Sequence, residues 1–212
     1  LDYALWTTIR DLKAKWIPVI SDLEFTKDND QLLYALAAID SHEAVAPLMN
    51  IYLNGDLTAE QEIKALDTIY NHANAHELGI AIERVLTALY VDPPRRSRLI
   101  RNAVSATKRR NLTPRGDLSE IEDIIKNAPD ELKLAAISAA GQWKIEDQRG
   151  TLESLASKKS TPANQRESAM GALAAMGGDA SQNLLAKLTD PKEDLDTRIA
   201  ATEALLGISA PV

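Results

Sequence analysis

The sequence has no cysteine, a single phenylalanine and only 4% aromatic residues. The missing cysteines exclude disulfides, thiolate metal sites, a covalently attached c-type haem and a cysteine nucleophile within these residues, and leave the compartment open. The scarcity of aromatics means that the core is built chiefly from aliphatic side chains. No apolar run approaches the ~20 residues of a membrane-spanning helix, so membrane insertion is not expected. Leu1-Asp2-Tyr3-Ala4-Leu5-Trp6 holds an acid and no basic stretch, unlike a signal peptide. A first residue of Leu instead of Met suggests a piece of a longer protein. No segment alternates with a period of two, which argues against a sheet.

What is abundant is Ala and Leu, in a chain of 212 residues that is 45% apolar and 26% charged. That balance belongs to a folded chain able to bury a core, and those residue types favour helices. The net charge of −7 argues against a dedicated nucleic-acid binder, because phosphate contacts depend on Lys and Arg. The charge is uneven, however. Arg95, Arg96, Arg98, Arg101, Lys108, Arg109, Arg110 and Arg115 follow one another with no acid among them.

An alanine followed by a small residue three positions on recurs at Ala35, Ala65, Ala136, Ala169 and Ala201, with a poorer match at Ala103. The spacings of 30, 38, 33, 33 and 32 residues are those of a helical hairpin. Alanine at such positions lets neighbouring hairpins approach closely, and only a stack of hairpins buries the apolar face that one hairpin leaves open. Helices are expected at about 2–16, 29–39, 41–54, 59–71, 75–90, 94–108, 118–127, 130–142, 146–157, 162–176, 180–189 and 195–207. Capping boxes are expected at Asp40 with Glu43, Thr58 with Gln61, Asn74 with Glu77 and Asp117 with Glu120. Thr161 is expected to cap a helix starting at Pro162, Gly177-Gly178 to stop it, and Asp179 to cap the next. After the last helix only Gly207-Ile208-Ser209-Ala210-Pro211-Val212 remains, so the final hairpin reads as incomplete.

The candidates for chemistry reduce to structure. His72 and His76 stand four apart, but Asn71 and Asn74 predict a turn between them, which breaks the shared helix face a metal needs. His42-Glu43 and His76-Glu77 open like a zinc-protease motif, yet Ala46 and Ile80 stand where its second histidine belongs. Asp190, Glu193, Asp194 and Asp196 lack the glycine and terminal glutamate of a calcium loop and read as helix-start charge. Gly177-Gly178 is not followed by the Lys-Ser or Lys-Thr of a phosphate loop, and no Gly-x-Ser-x-Gly occurs. No catalytic residue, cofactor or metal is assigned. The basic segment is the candidate docking patch: Arg95, Arg98, Arg101, Lys108, Arg109, Arg110 and Arg115. No aromatic side chain lies among these residues to stack a base, so an acidic protein partner fits them better than nucleic acid.

The alanine-marked hairpins from about Asp28 to Leu206 resemble HEAT repeats. That resemblance implies an all-α fold, an α-α superhelix or HEAT-repeat solenoid of about six helical hairpins, with residues 1–27 as an N-terminal helical segment packing on repeats at 28–212. It implies scaffolding or docking, against other domains of the same polypeptide or another protein, and no enzyme activity. A narrower resemblance rests on Asp2-Tyr3-Ala4-Leu5-Trp6-Thr7-Thr8-Ile9-Arg10-Asp11-Leu12, on Trp16-Ile17-Pro18 and on Gln142-Trp143-Lys144. These look like the helical-repeat region of large bacterial exported proteins, described as membrane-bound dehydrogenase and haem-binding proteins, that carry a β-propeller before the repeats and a cytochrome c domain after them. It implies a spacer between those two modules and a periplasmic or exported location. Neither the propeller nor the Cys-x-x-Cys-His haem motif occurs in this chain, so no residue here inherits their chemistry. The alternative, from a different class, is a HEAT-like nucleic-acid-binding or base-repair protein with the basic 95–115 segment lining its groove. Trp6 and Trp16 are expected to be core anchors at the open end of the stack.

Overall fold

The computed structural model describes residues 2–20 and 28–209. The expected N-terminal segment is therefore described without Leu1 and residues 21–27, and the tail Ala210-Pro211-Val212 also lies outside the described residues. Among those that are described there are thirteen α-helices, three short 3-10 turns and no strand. The helices are α1 (Asp2–Asp11), α2 (Lys13–Trp16), α3 (Asn29–Ile39), α4 (Val45–Asn54), α5 (Ala59–His72), α6 (Ala75–Thr87), α7 (Pro93–Arg110), α8 (Glu120–Asn127), α9 (Asp130–Gln142), α10 (Arg149–Ser157), α11 (Ala163–Met176), α12 (Gly178–Leu188) and α13 (Leu195–Ser209). The fold is all-α, of the helical-solenoid class. The chain divides into two compact units, Leu1–Ala81 and Ile82–Val212.

In the first unit α1 packs on α3, and α3 and α4 both pack on α5. Its core is aliphatic, with Leu36, Val45, Leu66 and Ile69 closed from solvent and Tyr70 the largest fully buried ring. Burial pushes the Tyr70 phenol well above its ordinary value. Thr58 and Gln61 form the expected capping box. Asn74 and Glu77 do the same: Asn74 Oδ1 accepts from the Glu77 N–H at 3.0 Å and Glu77 Oε2 accepts from the Asn74 N–H at 2.8 Å. The box expected at Asp40 and Glu43 does not form. Asp40 instead closes α3 in the left-handed conformation (φ 52°), and Ser41 precedes a 3-10 turn, His42–Ala44. Asp40 is thereby held at a helix end, where its carboxylate meets His72 Nε2 at 3.1 Å.

Trp6 and Trp16 are not core anchors. Both are half-buried: Trp6 stacks on Tyr3 with Arg10 over its ring, and Trp16 donates its indole N–H to the Ile9 carbonyl. The expected helix 2–16 breaks at Leu12, which lets the chain fold back far enough for that bond.

In the second unit α7, α9, α11 and α13 pack on one another in succession, while α8, α10 and α12 each pack on the helix that follows them. This is the repeated hairpin. Its marker alanines behave as close packing requires: Ala103, Ala136, Ala169 and Ala201 are buried, as are the small residues three positions on, Ala106, Ala139, Ala172 and Ala204. The closest approach is at Gly141, where an added Cβ would lie 2.4 Å from the Ala172 Cα and 2.4 Å from its carbonyl oxygen. Only glycine fits there, because both atoms belong to backbone.

The phrase Gln142-Trp143-Lys144 is explained by the end of α9. Lys144 takes a positive φ of 53°, its N–H bonds to the Gly141 carbonyl at 3.1 Å, and the Ile145 N–H bonds to the Ala140 carbonyl at 3.0 Å. This paired closure turns the chain and seats Trp143 in the core. Its indole N–H donates to Thr107 Oγ1 at 3.0 Å, and that hydroxyl donates in turn to the Val104 carbonyl at 2.9 Å.

Three other helix starts differ from expectation. Pro162 occupies the cap of α11, leaving Thr161 buried just outside it with no capping bond. Gly177, at φ 75°, caps α12, so Asp179 falls in the first turn, where its charge suits the helix dipole. Asp117 accepts from the Ser119 N–H at 2.9 Å and closes a turn ahead of α8, which starts at Glu120 with Ser119 before it.

Candidate functional site

The expected docking patch lies largely on α7. Asp92 starts this helix by accepting from the Arg95 N–H at 3.0 Å, and Pro93 fills the first position, where a missing N–H costs nothing. The helix ends at Asn111, in the left-handed conformation. Leu99, Ile100, Ala103 and Ala106 face the core. The opposite side presents Arg98, Arg101, Ser105, Lys108 and Arg109, all exposed and spaced by three, four or one residue. From Arg98 to Arg109 this ridge is about 16 Å long at the rise of an α-helix.

The basic residues do different work within it. Arg96 is buried and donates to the Leu86 carbonyl near the end of α6; burial lowers its guanidinium against the weaker opposing pull of Glu120. Arg101 pairs with Glu131 at the start of α9. Arg109 donates to Ser105 Oγ at 2.8 Å along its own helix. Arg110 is half-buried, which lowers its guanidinium, and Arg95 is half-buried as well. Arg115 is exposed in the loop between α7 and α8. Arg98 and Lys108 project with no ion-pair partner among the described residues. Four of the seven expected residues, Arg98, Arg101, Lys108 and Arg109, thus share one solvent face, while Arg95 and Arg110 are drawn towards the core and Arg115 sits off the helix.

The histidines do not assemble a metal site. His72 ends α5 and His76 belongs to α6, with the expected turn between them. His72 reaches back to Asp40, and His42 meets Glu77 at 2.9 Å, so each links the α3–α4 turn to the α5–α6 turn. Among the described residues no group of three or more His, Cys, Asp or Glu could hold a metal ion. The acidic run is spent on turns and a helix start: Asp190 accepts from the Lys192 N–H, Glu193 pairs with Lys159, and Asp194 accepts from both the N–H and hydroxyl of Thr197. A groove of about 340 Å³ beside α1 and α2 is walled by Ile9, Leu12, Trp16 and Val19 and converges no polar groups for chemistry. No helix among the described residues is long and apolar enough to cross a membrane.

A family model described as HEAT repeats matches residues 118–206, less than half of the chain, beginning just before α8 and ending within α13. The chain carries HEAT-like helical repeats. Repeats of this kind serve as helical scaffolds and protein-interaction modules. No curated protein and no solved structure matches the chain. The basic ridge of α7 lies immediately ahead of the matched residues. Sequence alone could not separate its members, since burial of Arg96 and capture of Arg101 by Glu131 both depend on neighbouring helices.

Proposed function

We propose that this chain is a non-catalytic docking module in which the outer face of α7 receives an acidic segment of a protein partner. The observation that carries the reading is the ridge of Arg98, Arg101, Lys108 and Arg109 on a rigid, capped helix, in a chain whose net charge is −7. A fixed row of cations about 16 Å long complements an extended or helical run of carboxylates at little ordering cost. The ridge holds no aromatic side chain, so single-stranded nucleic acid gains only phosphate contacts there. Other domains of the same polypeptide are eligible partners. The N-terminal resemblance adds the position of a spacer between a dehydrogenase-like propeller and a cytochrome c domain.

The test is a fluorescence-anisotropy titration with a labelled twelve-residue Glu/Asp peptide and, separately, a labelled single-stranded oligonucleotide, each at two salt concentrations. We expect the peptide to bind at low salt and Arg98→Glu with Lys108→Glu to weaken it at least tenfold. Absence of peptide binding, or equal binding by the variant, refutes the assignment. Oligonucleotide binding that is tighter than peptide binding and shares the same variant sensitivity selects the nucleic-acid class instead.

A further inference from the structure

The turn from α6 to α7 and the turn from α10 to α11 share one backbone and differ in side chains. In the first, the Ala88 carbonyl accepts from the Val91 N–H at 3.0 Å; in the second, the Lys158 carbonyl accepts from the Thr161 N–H at 2.9 Å. Val91 and Thr161 are both buried, and each is followed by the cap of the next helix, Asp92 or Pro162. The fourth residue of that helix reaches back in both cases, Arg96 to the Leu86 carbonyl and Arg166 to the Lys159 carbonyl. The two central positions hold Lys159 and Ser160 in the later turn, where polar residues are the rule, but Leu89 and Tyr90 in the earlier one. Leu89 is 81% exposed and Tyr90 77%. A backbone that accepts Lys-Ser does not require Leu-Tyr, and neither side chain packs into the core, so folding does not account for them.

The helices that follow the two turns differ as well. The exposed residues of α11 are Ala163, Asn164, Glu167, Gly171 and Ala175, none of them basic. On α7 stands the cationic ridge, and Pro94, exposed and four residues before Arg98, carries the face of that ridge into the first turn of the helix. Both departures therefore fall on one hairpin junction. From Asp92 to Arg98 is about 9 Å along the helix axis. Asp92 is itself exposed, and along the chain it sets one negative charge between the apolar tip and the first cation of the ridge.

We propose that tip and ridge form one docking surface, and that the segment received by α7 carries a large apolar residue at the end that meets Leu89 and Tyr90, with its carboxylates starting beyond Asp92. The inference rests on α7 receiving an acidic segment, and it adds the chemistry of that segment's end. Leu89 and Tyr90 gain from leaving water only against an apolar group, while the carboxylates answer Arg98, Arg101, Lys108 and Arg109 by charge complementarity. Asp92 asks for an uncharged residue between the two. Single-stranded nucleic acid can stack one base on Tyr90, but its phosphates recur at every nucleotide and meet Asp92, and Leu89 offers no ring to a second base.

The test uses the full chain and three labelled peptides in anisotropy titrations: the twelve-residue Glu/Asp peptide, and the same peptide extended by Leu-Leu-Gly-Gly at its N-terminus or by Gly-Gly-Leu-Leu at its C-terminus. One extended peptide is expected to bind about tenfold tighter than the plain one, because its leucines leave water. Leu89→Asn with Tyr90→Ser should remove that advantage and leave binding of the plain peptide unchanged, which also shows the variant to be folded. Arg98→Glu with Lys108→Glu should weaken all three. Equal binding of plain and extended peptides, or an advantage that survives in the turn variant, overturns this inference and leaves the reading of the ridge standing. If no peptide binds, both fail. Extended-peptide binding that ignores the ridge variant separates tip from ridge and overturns the joint surface. Tyr90→Leu keeps apolar bulk without the ring and should spare the peptides; an oligonucleotide that binds tighter than any peptide and is weakened by Tyr90→Leu names nucleic acid instead and overturns the proposal. Self-association in sedimentation velocity that the turn variant abolishes names a second copy, with the same consequence. A melting temperature lowered in the turn variant would assign Leu89 and Tyr90 to the fold, and overturns it too.

Discussion

Two glycines on successive helices of the stack make opposite demands. Gly141 touches backbone of the neighbouring helix on the side where a side chain would stand, whereas a Cβ on Gly171 meets nothing within 4 Å. Gly141→Ala is expected to cost about 3 kcal/mol, because the obstacle is main chain and cannot rotate away. Gly171→Ala is expected to add about 0.5–1 kcal/mol, by relieving the entropy cost of glycine inside a helix. Paired urea titrations of the two variants check both signs. The buried bond between Trp143 and Thr107 gives a second residue-scale prediction. Thr107→Val keeps the shape and strands the indole N–H, so a loss of about 1–3 kcal/mol is expected in the same titration, with an unchanged m-value.

At the scale of single elements, the ends of the helices carry the polar interactions. Arg96 sits in α7 but serves α6, by donating to the Leu86 carbonyl near a C-terminus whose last carbonyls lack partners within their own helix. Arg96→Met should lower stability by about 1.5–3 kcal/mol and increase amide exchange in the last turn of α6, measurable by hydrogen exchange and mass spectrometry. Acidic groups at the turns set the pH dependence. Asp194 is held below its ordinary 3.8, first by the Thr197 N–H and then by its hydroxyl; Asp117 is lowered by Ser119, Glu122 by Lys126 and Glu146 by Arg149, the latter two from 4.5. A carboxylate depressed in the folded state binds its proton more weakly there than in the unfolded chain. Its contribution is therefore complete above the unfolded value and disappears as pH falls through the folded one. The urea midpoint is expected to be flat above about pH 5.5 and to fall below about 4.5, by the ordinary range of these groups. Asp194→Asn, which keeps a capping oxygen and removes the titration, should make that fall shallower.

For the molecule as a whole, the helical repeat was legible because its two causes are local. Helix-forming composition and the spacing of Ala103, Ala136, Ala169 and Ala201 are written along the chain, and burial of those alanines follows once hairpins stack. Caps were legible only where one side chain had one use. Thr58 and Asn74 met no competitor, whereas Asp40 was drawn into closing α3 and pairing with His72, and Thr161 was buried beside Pro162. The tryptophans show the same limit. Size suggested Trp6 and Trp16 as anchors, but the fully enclosed tryptophan is Trp143, placed by a left-handed turn at Lys144 that residue size does not encode.

The basic run was visible as a count of charges, and its usable part was not. Sequence by itself determined that this protein is built of helical hairpins marked by alanines, with one cationic segment, since helix propensity and repeat spacing depend on near neighbours in the chain. Tertiary structure alone decided which cations face water and which serve the core, that Gly141 must be glycine, and that Leu89 and Tyr90 stand open to solvent. Each of those depends on what lies across the contact, tens of residues away, and a linear pattern holds no record of distance in space.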